Sequence, residues 1–167
     1  MFDKFFPDRY VASTYVIDFE GLYKEGVRGL IFDIDNTLVP HGAPADERAR
    51  ALFKRLKSIG FRCCLISNNQ KPRVEMFNKD IQVDYVYNAH KPSIRNYLKA
   101  MEIMGTDRDS TVFIGDQLFT DIYGAKKCGI DNIYVNRISD TEEIQIVLKR
   151  KLEKIVFRSY MKHGRLK

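Results

Sequence analysis

Five short apolar runs rich in β-branched residues recur along the chain, and each ends in polar residues. They lie at 27–35 (VRGLIFDID), 61–68 (FRCCLISN), 83–87 (VDYVY), 111–116 (TVFIGD) and 132–136 (NIYVN). An apolar run without polar alternation suits a strand buried on both faces. The stretches between them have helical spacing. Residues 46–59 place Leu52, Phe53, Leu56 and Ile59 on one face, with Gly60 as a stop. Pro92 opens the next helix, with Ile94, Leu98 and Met101 inward and Gly105 at its end, and 120–127 forms a short one. Asp140 or Thr141 caps a long last helix running past Leu148, Leu152 and Ile155. This alternation predicts an α/β fold of three layers, Rossmann-like, with a doubly wound, mainly parallel sheet. In such sheets ligands bind beyond the carboxyl ends of the strands, which is where the polar residues cluster here.

A chain of 167 residues, 44% of them hydrophobic, can bury one core, and no Pro/Gly/Ser-rich linker divides it. We read a single domain: an N-terminal extension at 1–26, helical or irregular and packed on the domain, a core at 27–136, and a basic helix and tail at 140–167. No run reaches the length of a membrane span, and MFDKFFPDRY lacks the pattern of a secretory signal, so a cytoplasmic location is expected. Cys63, Cys64 and Cys128 lack zinc-ligand spacing and read as small buried hydrophobes. The net charge of +6 is uneven: residues 149–167 hold eight Lys or Arg against Glu153, which is +7, and leave about −1 for the rest.

The chemistry starts at the first run, which ends Phe32-Asp33-Ile34-Asp35-Asn36-Thr37. Carboxylates two residues apart on a strand share a side. Like charges beside an apolar strand are costly unless a cation or proton offsets them, and magnesium, which prefers hard oxygen ligands and tolerates phosphate and water in its shell, fits best. Solvated turn acids would be the plain alternative. The second run ends Ser67-Asn68-Asn69, donors suited to phosphate oxygens or to an ordinary turn. Lys91 precedes Pro92 at an expected helix start, where an ammonium calls for an anion, although a single Lys is usually a solvated one. The fourth run ends Gly115-Asp116-Gln117, with Asp121 following. Each plain reading stands alone well enough; all four motifs in this order at strand ends do not.

On DIDNT, the Ser of LISNN, the Lys of HKP and GDQLFTD, the chain resembles the haloacid dehalogenase (HAD) superfamily over roughly 27–136. With the PDRYVAS segment added, it looks closest to the capless YqeG-like branch, which is related to the phosphatidylglycerophosphate phosphatases. The resemblance implies a phosphatase in which Asp33 attacks phosphorus and Asp35 serves as acid and then base. It places Mg2+ on Asp33, the carbonyl of Asp35 and Asp116, with Asp121 supporting the metal, and the phosphoryl group on Ser67 and Lys91. Thr37 orients the first loop, and Asn68, Asn69 and Gln117 line the pocket.

The intervals 37–61 and 88–110 hold about one helix each, too little for a cap domain, so an open site is expected unless a partner subunit covers it, fit for a macromolecule, a lipid headgroup at a surface or a small substrate held within an oligomer. The basic tail, with Phe2, Phe5 and Phe6, suits peripheral contact with anionic membrane, or else its apolar side packs on the domain. No nucleic-acid motif supports an RNA role for it. Two rival classes remain: a phosphorylated receiver-like signalling domain, and a non-catalytic RNA- or membrane-binding protein.

Overall fold

The computed structural model describes residues 2–139 and 144–163, so the expected cap at Asp140 or Thr141 falls outside the described residues. Six strands form one parallel sheet: β1 (Arg9–Val11), β2 (Gly29–Phe32), β3 (Arg62–Ile66), β4 (Asp84–Val86), β5 (Thr111–Gly115) and β6 (Asp131–Val135). Their order is β1-β6-β5-β2-β3-β4. β2 is therefore central, with its register fixed by Leu30 against Cys63 on one side and Val112 on the other.

Strand alternation sorts neighbouring residues between the two faces. Leu30, Phe32, Cys63, Leu65, Val112 and Ile114 face one layer. That layer is formed by α1 (Phe19–Lys24), α2 (Glu47–Ile59) and α3 (Lys71–Asn78). Ile31, Cys64, Ile66 and Phe113 face the other. There they meet α4 (Arg95–Met104) and α5 (Tyr123–Cys128). The adjacent Cys63 and Cys64 thus lie in different cores, and all three cysteines are free and buried.

α2 starts as its sequence requires: the Asp46 side chain accepts the Ala49 N–H, and Gly60 ends it at φ 118°. α4 departs from expectation. It begins at Arg95 rather than at Pro92, so Lys91 sits in a loop and not at a helix start. Ile94 and Leu98 are exposed, and the inward face is Tyr97, Ala100, Met101 and Met104. The Tyr97 ring packs beside Phe113, and its hydroxyl donates toward the carbonyls of Thr120 and Asp121. The extension at 1–26 is more regular than expected, since it supplies edge strand β1, paired with β6, and the helix α1.

The last helix, α6 (Ile144–His163), packs with a different face from the expected one. Arg150, Glu153, Val156 and Tyr160 are buried, whereas Leu148, Leu152 and Ile155 are exposed. Val156 and Phe157 join Leu118 and Ile122 in a small third core. Phe2, Phe5 and Phe6 pack on that same core, so the N-terminal rings face the domain.

Candidate active site

The carboxyl ends of β2, β3 and β5 meet at the sheet centre, and the three motifs that follow them fold back over that edge. After β2 the chain turns at once: the N–H groups of Thr37 and Leu38 both donate to the Ile34 carbonyl. Asn36 takes φ 63°, a left-handed conformation that Asn tolerates better than most residues. The turn returns the Thr37 hydroxyl to 3.1 Å from Asp33 Oδ2 and 2.9 Å from Asp116 Oδ1, where its one hydrogen serves the two carboxylates.

After β5 the backbone makes a π-turn at Leu118–Ile122, and the Ile122 N–H reaches the Gln117 carbonyl five residues back. π-turns recur at functional sites because the extra residue re-aims side chains. Here the turn carries Asp121, whose Oδ2 accepts the N–H groups of Asp116 and Gln117 at 3.2 Å each. Gly115 makes room for it: a Cβ there would lie 2.5 Å from Asp121 Oδ2. Asp33, Asp116 and Asp121 are buried, and one carboxylate oxygen from each lies within 4.8 Å of the others.

Lys91 enters from the loop after β4. Its Nζ donates to Asp33 Oδ1 at 2.7 Å and to Asp121 Oδ1 at 2.6 Å. The Asn68 side chain clamps its backbone, accepting the Lys91 N–H at 2.8 Å and donating toward the Lys91 carbonyl at 3.4 Å. Asn68 therefore acts through Lys91 as well as lining the pocket. Arg150 of α6 donates to both the carbonyl and Oδ2 of Asp116 and, at 3.0 Å, to Glu153 Oε2. Glu153 in turn accepts the Phe119 N–H at 3.1 Å.

Among the described residues, the buried charged side chains are Asp33, Lys91, Asp116, Asp121, Arg150 and Glu153, and all six meet here. Four acids against two cations leave two negative charges, the complement of one divalent cation. Their ionisation reflects that deficit. Burial and then Asp33 push Asp116 well above the usual carboxylate range, with Arg150 opposing. The same two causes bring Asp121 to about 7, with Lys91 opposing. Burial alone would lower the Lys91 ammonium, but Asp121 and Asp33 together hold it above its ordinary value. Burial raises Glu153, with Arg150 opposing. An all-oxygen, buried, net-negative donor set of this kind suits a hard cation.

Asp35 stands apart from this cluster. Its Oδ1 accepts the Gly42 N–H at 2.7 Å and the Arg73 guanidinium at 2.9 and 3.2 Å, and its Oδ2 accepts Asn69 Nδ2 at 2.7 Å. The Asn69 N–H donates to Ser67 Oγ at 3.0 Å, and Thr120 Oγ1 donates to Gln117 Oε1 at 3.2 Å. A pocket of about 190 Å³ opens above these groups, lined by Asp33, Asp35, Ser67, Asn68, Asn69, Lys91 and Gln117 together with His41, Thr120, Ile146 and Lys149. Of the residues singled out in the sequence, Asp33, Asp35, Ser67, Asn68, Asn69, Lys91 and Gln117 line the pocket, and Thr37, Asp116 and Asp121 lie buried against Asp33. The first turns of α6 form one wall of the pocket. His41, Arg73, Arg150 and Glu153 were missed. The signal for the last two was an opposite-charge pair three residues apart on the face of Val156 and Tyr160.

A family model described as haloacid dehalogenase-like hydrolase matches residues 41–129, a span that holds Ser67, Lys91, Asp116 and Asp121 and begins after Asp33. The chain is 31% identical to the Bacillus subtilis protein named "Probable phosphatase YqeG", over 99% of this chain and 98% of that one. It is 24% identical to phosphatidylglycerophosphate phosphatase 1, chloroplastic/mitochondrial, of Arabidopsis thaliana, over 95% of this chain and 49% of that one, so it spans about half of that relative's length. A solved HAD phosphatase from Thermococcus onnurineus shares the fold, with a TM-score of 0.54 and 16% identity over 70-odd per cent (71%) of this chain and 90% of that one. Matched by the family model over more than half its length, and by a relative along nearly all of it, the chain belongs to the haloacid dehalogenase-like hydrolase family.

Proposed function

We propose that the chain is a magnesium-dependent phosphatase that hydrolyses a phosphomonoester through an aspartyl-phosphate on Asp33. The observation that carries this reading is the position of Asp33: buried, 2.7 Å from the Lys91 ammonium, joined to Asp116 and Asp121, and facing the pocket. Asp33, Asp116 and Asp121 would hold Mg2+, which when bound supplies positive charge to the phosphoryl oxygens and offsets their repulsion from the nucleophile.

The remaining work falls to side chains of this chain. Lys91 holds the Asp33 carboxylate in position and offers its charge to the same phosphoryl group, while Ser67 and Asn69 face it from the β3 loop. An Asp33 carboxylate oxygen attacks phosphorus as the phosphorus–oxygen bond to the alcohol breaks. Asp35 gives that leaving oxygen a proton, then takes one from the water that attacks the acyl phosphate, releasing phosphate and restoring Asp33. Arg73, Asn69 and Gly42 fix the position of the Asp35 side chain at the pocket.

Among substrates we favour a phosphorylated lipid headgroup such as phosphatidylglycerophosphate, in keeping with the name of the Arabidopsis thaliana relative and with a pocket walled on one side by α6. The test is a screen of phosphate monoesters, lipid phosphates included, with magnesium or with chelator. Metal-dependent release of phosphate that is lost in Asp33→Asn is expected. Wild-type rates in Asp33→Asn would refute the nucleophile assignment, and full activity in chelator would refute the metal.

A further inference from the structure

The face of α6 that looks away from the domain is as ordered in its chemistry as the face that looks inward. Leu148, Leu152 and Ile155 follow one another at intervals of four and three residues and therefore lie in one stripe. They are 60%, 58% and 54% exposed. Lys151, Lys154, Arg158 and Lys162 recur at intervals of three and four and form a second, parallel row, also exposed. Val147, exposed as well, lies in line with Lys151 and Lys154, and the exposed Met161 falls on the far side of that basic row. From Leu148 to Lys162 the two rows run for about 20 Å of helix.

Among the described residues, neither row is buried against the domain. Packing uses Arg150, Glu153, Val156 and Tyr160, on the opposite side of the helix. Water-exposed aliphatic side chains of this size are unfavourable unless something covers them. A row of cations beside them selects what that is. Another basic surface is repelled, and the remainder of this chain carries only about −1 of charge to attract it. A surface that is apolar beneath and anionic at its rim satisfies both rows at once, as interfacial helices do when the apolar side sinks between acyl chains and the basic side meets headgroup phosphates. The position of the helix adds a second argument: its inward side supplies Ile146 and Lys149 to the pocket and Arg150 to Asp116. Whatever binds the outward side lies next to the pocket mouth.

We propose that the outward face of α6, with Leu148, Leu152 and Ile155 beside Lys151, Lys154, Arg158 and Lys162, docks the protein on an anionic lipid bilayer. This surface is separate from the catalytic groups, and it stands or falls independently of the phosphatase reading. The N-terminal phenylalanines take no part, because they are packed inward.

The experiment is co-sedimentation of the full chain with phosphatidylcholine vesicles, with and without phosphatidylglycerol, at low and high salt. Two variants accompany it: Leu148→Ser/Leu152→Ser/Ile155→Ser, and Lys151→Gln/Lys154→Gln/Arg158→Gln/Lys162→Gln. All seven positions are exposed, so both variants should keep the wild-type melting temperature, which is checked first. Binding to the phosphatidylglycerol vesicles only, weakened by salt, is expected. Each basic residue near an anionic surface contributes on the order of fivefold, so the basic variant should lose at least about 100-fold in partition. The serine variant should also lose binding. Equal binding to both vesicle types, no binding at all, or unchanged binding in both variants would overturn the proposal. So would a wild-type dimer that the serine variant converts to monomer, since the stripe would then be covered by a second copy. An absence of phosphatase turnover in the wild type would leave the vesicle result standing and would count against the catalytic reading alone.

Discussion

Replacing Arg150 with Met should destabilise the metal-free protein by about 3–5 kcal/mol, the range seen when one partner of a buried ion pair is removed. The structure places this substitution in that range and not among surface changes. The Arg150 side chain is 8% exposed and meets Asp116 at 0% and Glu153 at 4%. Met fills much of the same volume, so the loss is chiefly electrostatic: two buried carboxyl groups lose a shared cation. Burial already raises both carboxyls, and Arg150 restrains that rise. Without Arg150 the folded state binds protons still more readily than the unfolded chain. A carboxyl raised in the folded state contributes stability at low pH that is lost as pH rises through its folded value. The penalty should therefore grow as pH rises. Saturating magnesium should return part of it, because Asp116 then has another cation. Urea denaturation followed by circular dichroism, in chelator and in magnesium at several pH values, measures all of this. Lys151→Met, on the exposed side of the same helix, is the control and should leave stability unchanged. An Arg150→Met penalty no larger than that of the control, or one that shrinks with pH, would refute the buried-charge account of α6.

Gly115→Ala should weaken magnesium binding by about 10–100-fold in calorimetry, because the added Cβ falls 2.5 Å from Asp121 Oδ2 and must displace it. The metal should also bind more tightly as pH rises, since a cation competes with protons on Asp121, at about 7, and on Asp116, which burial and Asp33 hold well above the usual carboxylate range. The melting temperature of the metal-free protein should fall as pH rises from about 4 through neutrality, and the gain on adding magnesium should widen over the same range. Asn68→Ala, which frees the Lys91 backbone from its amide clamp, should lower kcat with little change in melting temperature, as read by steady-state kinetics beside a thermal scan.

The central strands were legible because burial on both faces leaves an uninterrupted apolar run, as in Leu30, Ile31 and Phe32. Strand β1 was not, because it lies at the sheet edge, where Arg9 stays exposed and the pattern RYV has no apolar continuity. α3 escaped notice for a similar reason: of its eight residues only Val74 and Phe77 are buried. α4 offered two helical faces of near-equal apolarity, and the choice fell to Tyr97 because its hydroxyl finds the carbonyls of Thr120 and Asp121. The motif residues of the site announced themselves by clustering at strand ends. Arg73, Arg150 and Glu153 did not, since charged residues on a helix ordinarily face water, and only the fold shows that these three turn toward buried or half-buried carboxylates and amides. Leu148, Leu152 and Ile155 misled in the opposite sense, because apolar spacing predicts an inward stripe that the Arg150–Glu153 pair already occupies.

The identity of the nucleophile is best tested by trapping it. Asp35→Asn, which lacks the base for the second step, should accumulate phosphate when mixed with magnesium and an aryl phosphate, whose leaving group departs without a proton and so spares the first step. After acid quench, mass spectrometry should locate an acid-stable, base-labile acyl phosphate on the peptide carrying Asp33. Phosphate on any other residue, or none at all while the wild type hydrolyses the same ester, would contradict the account.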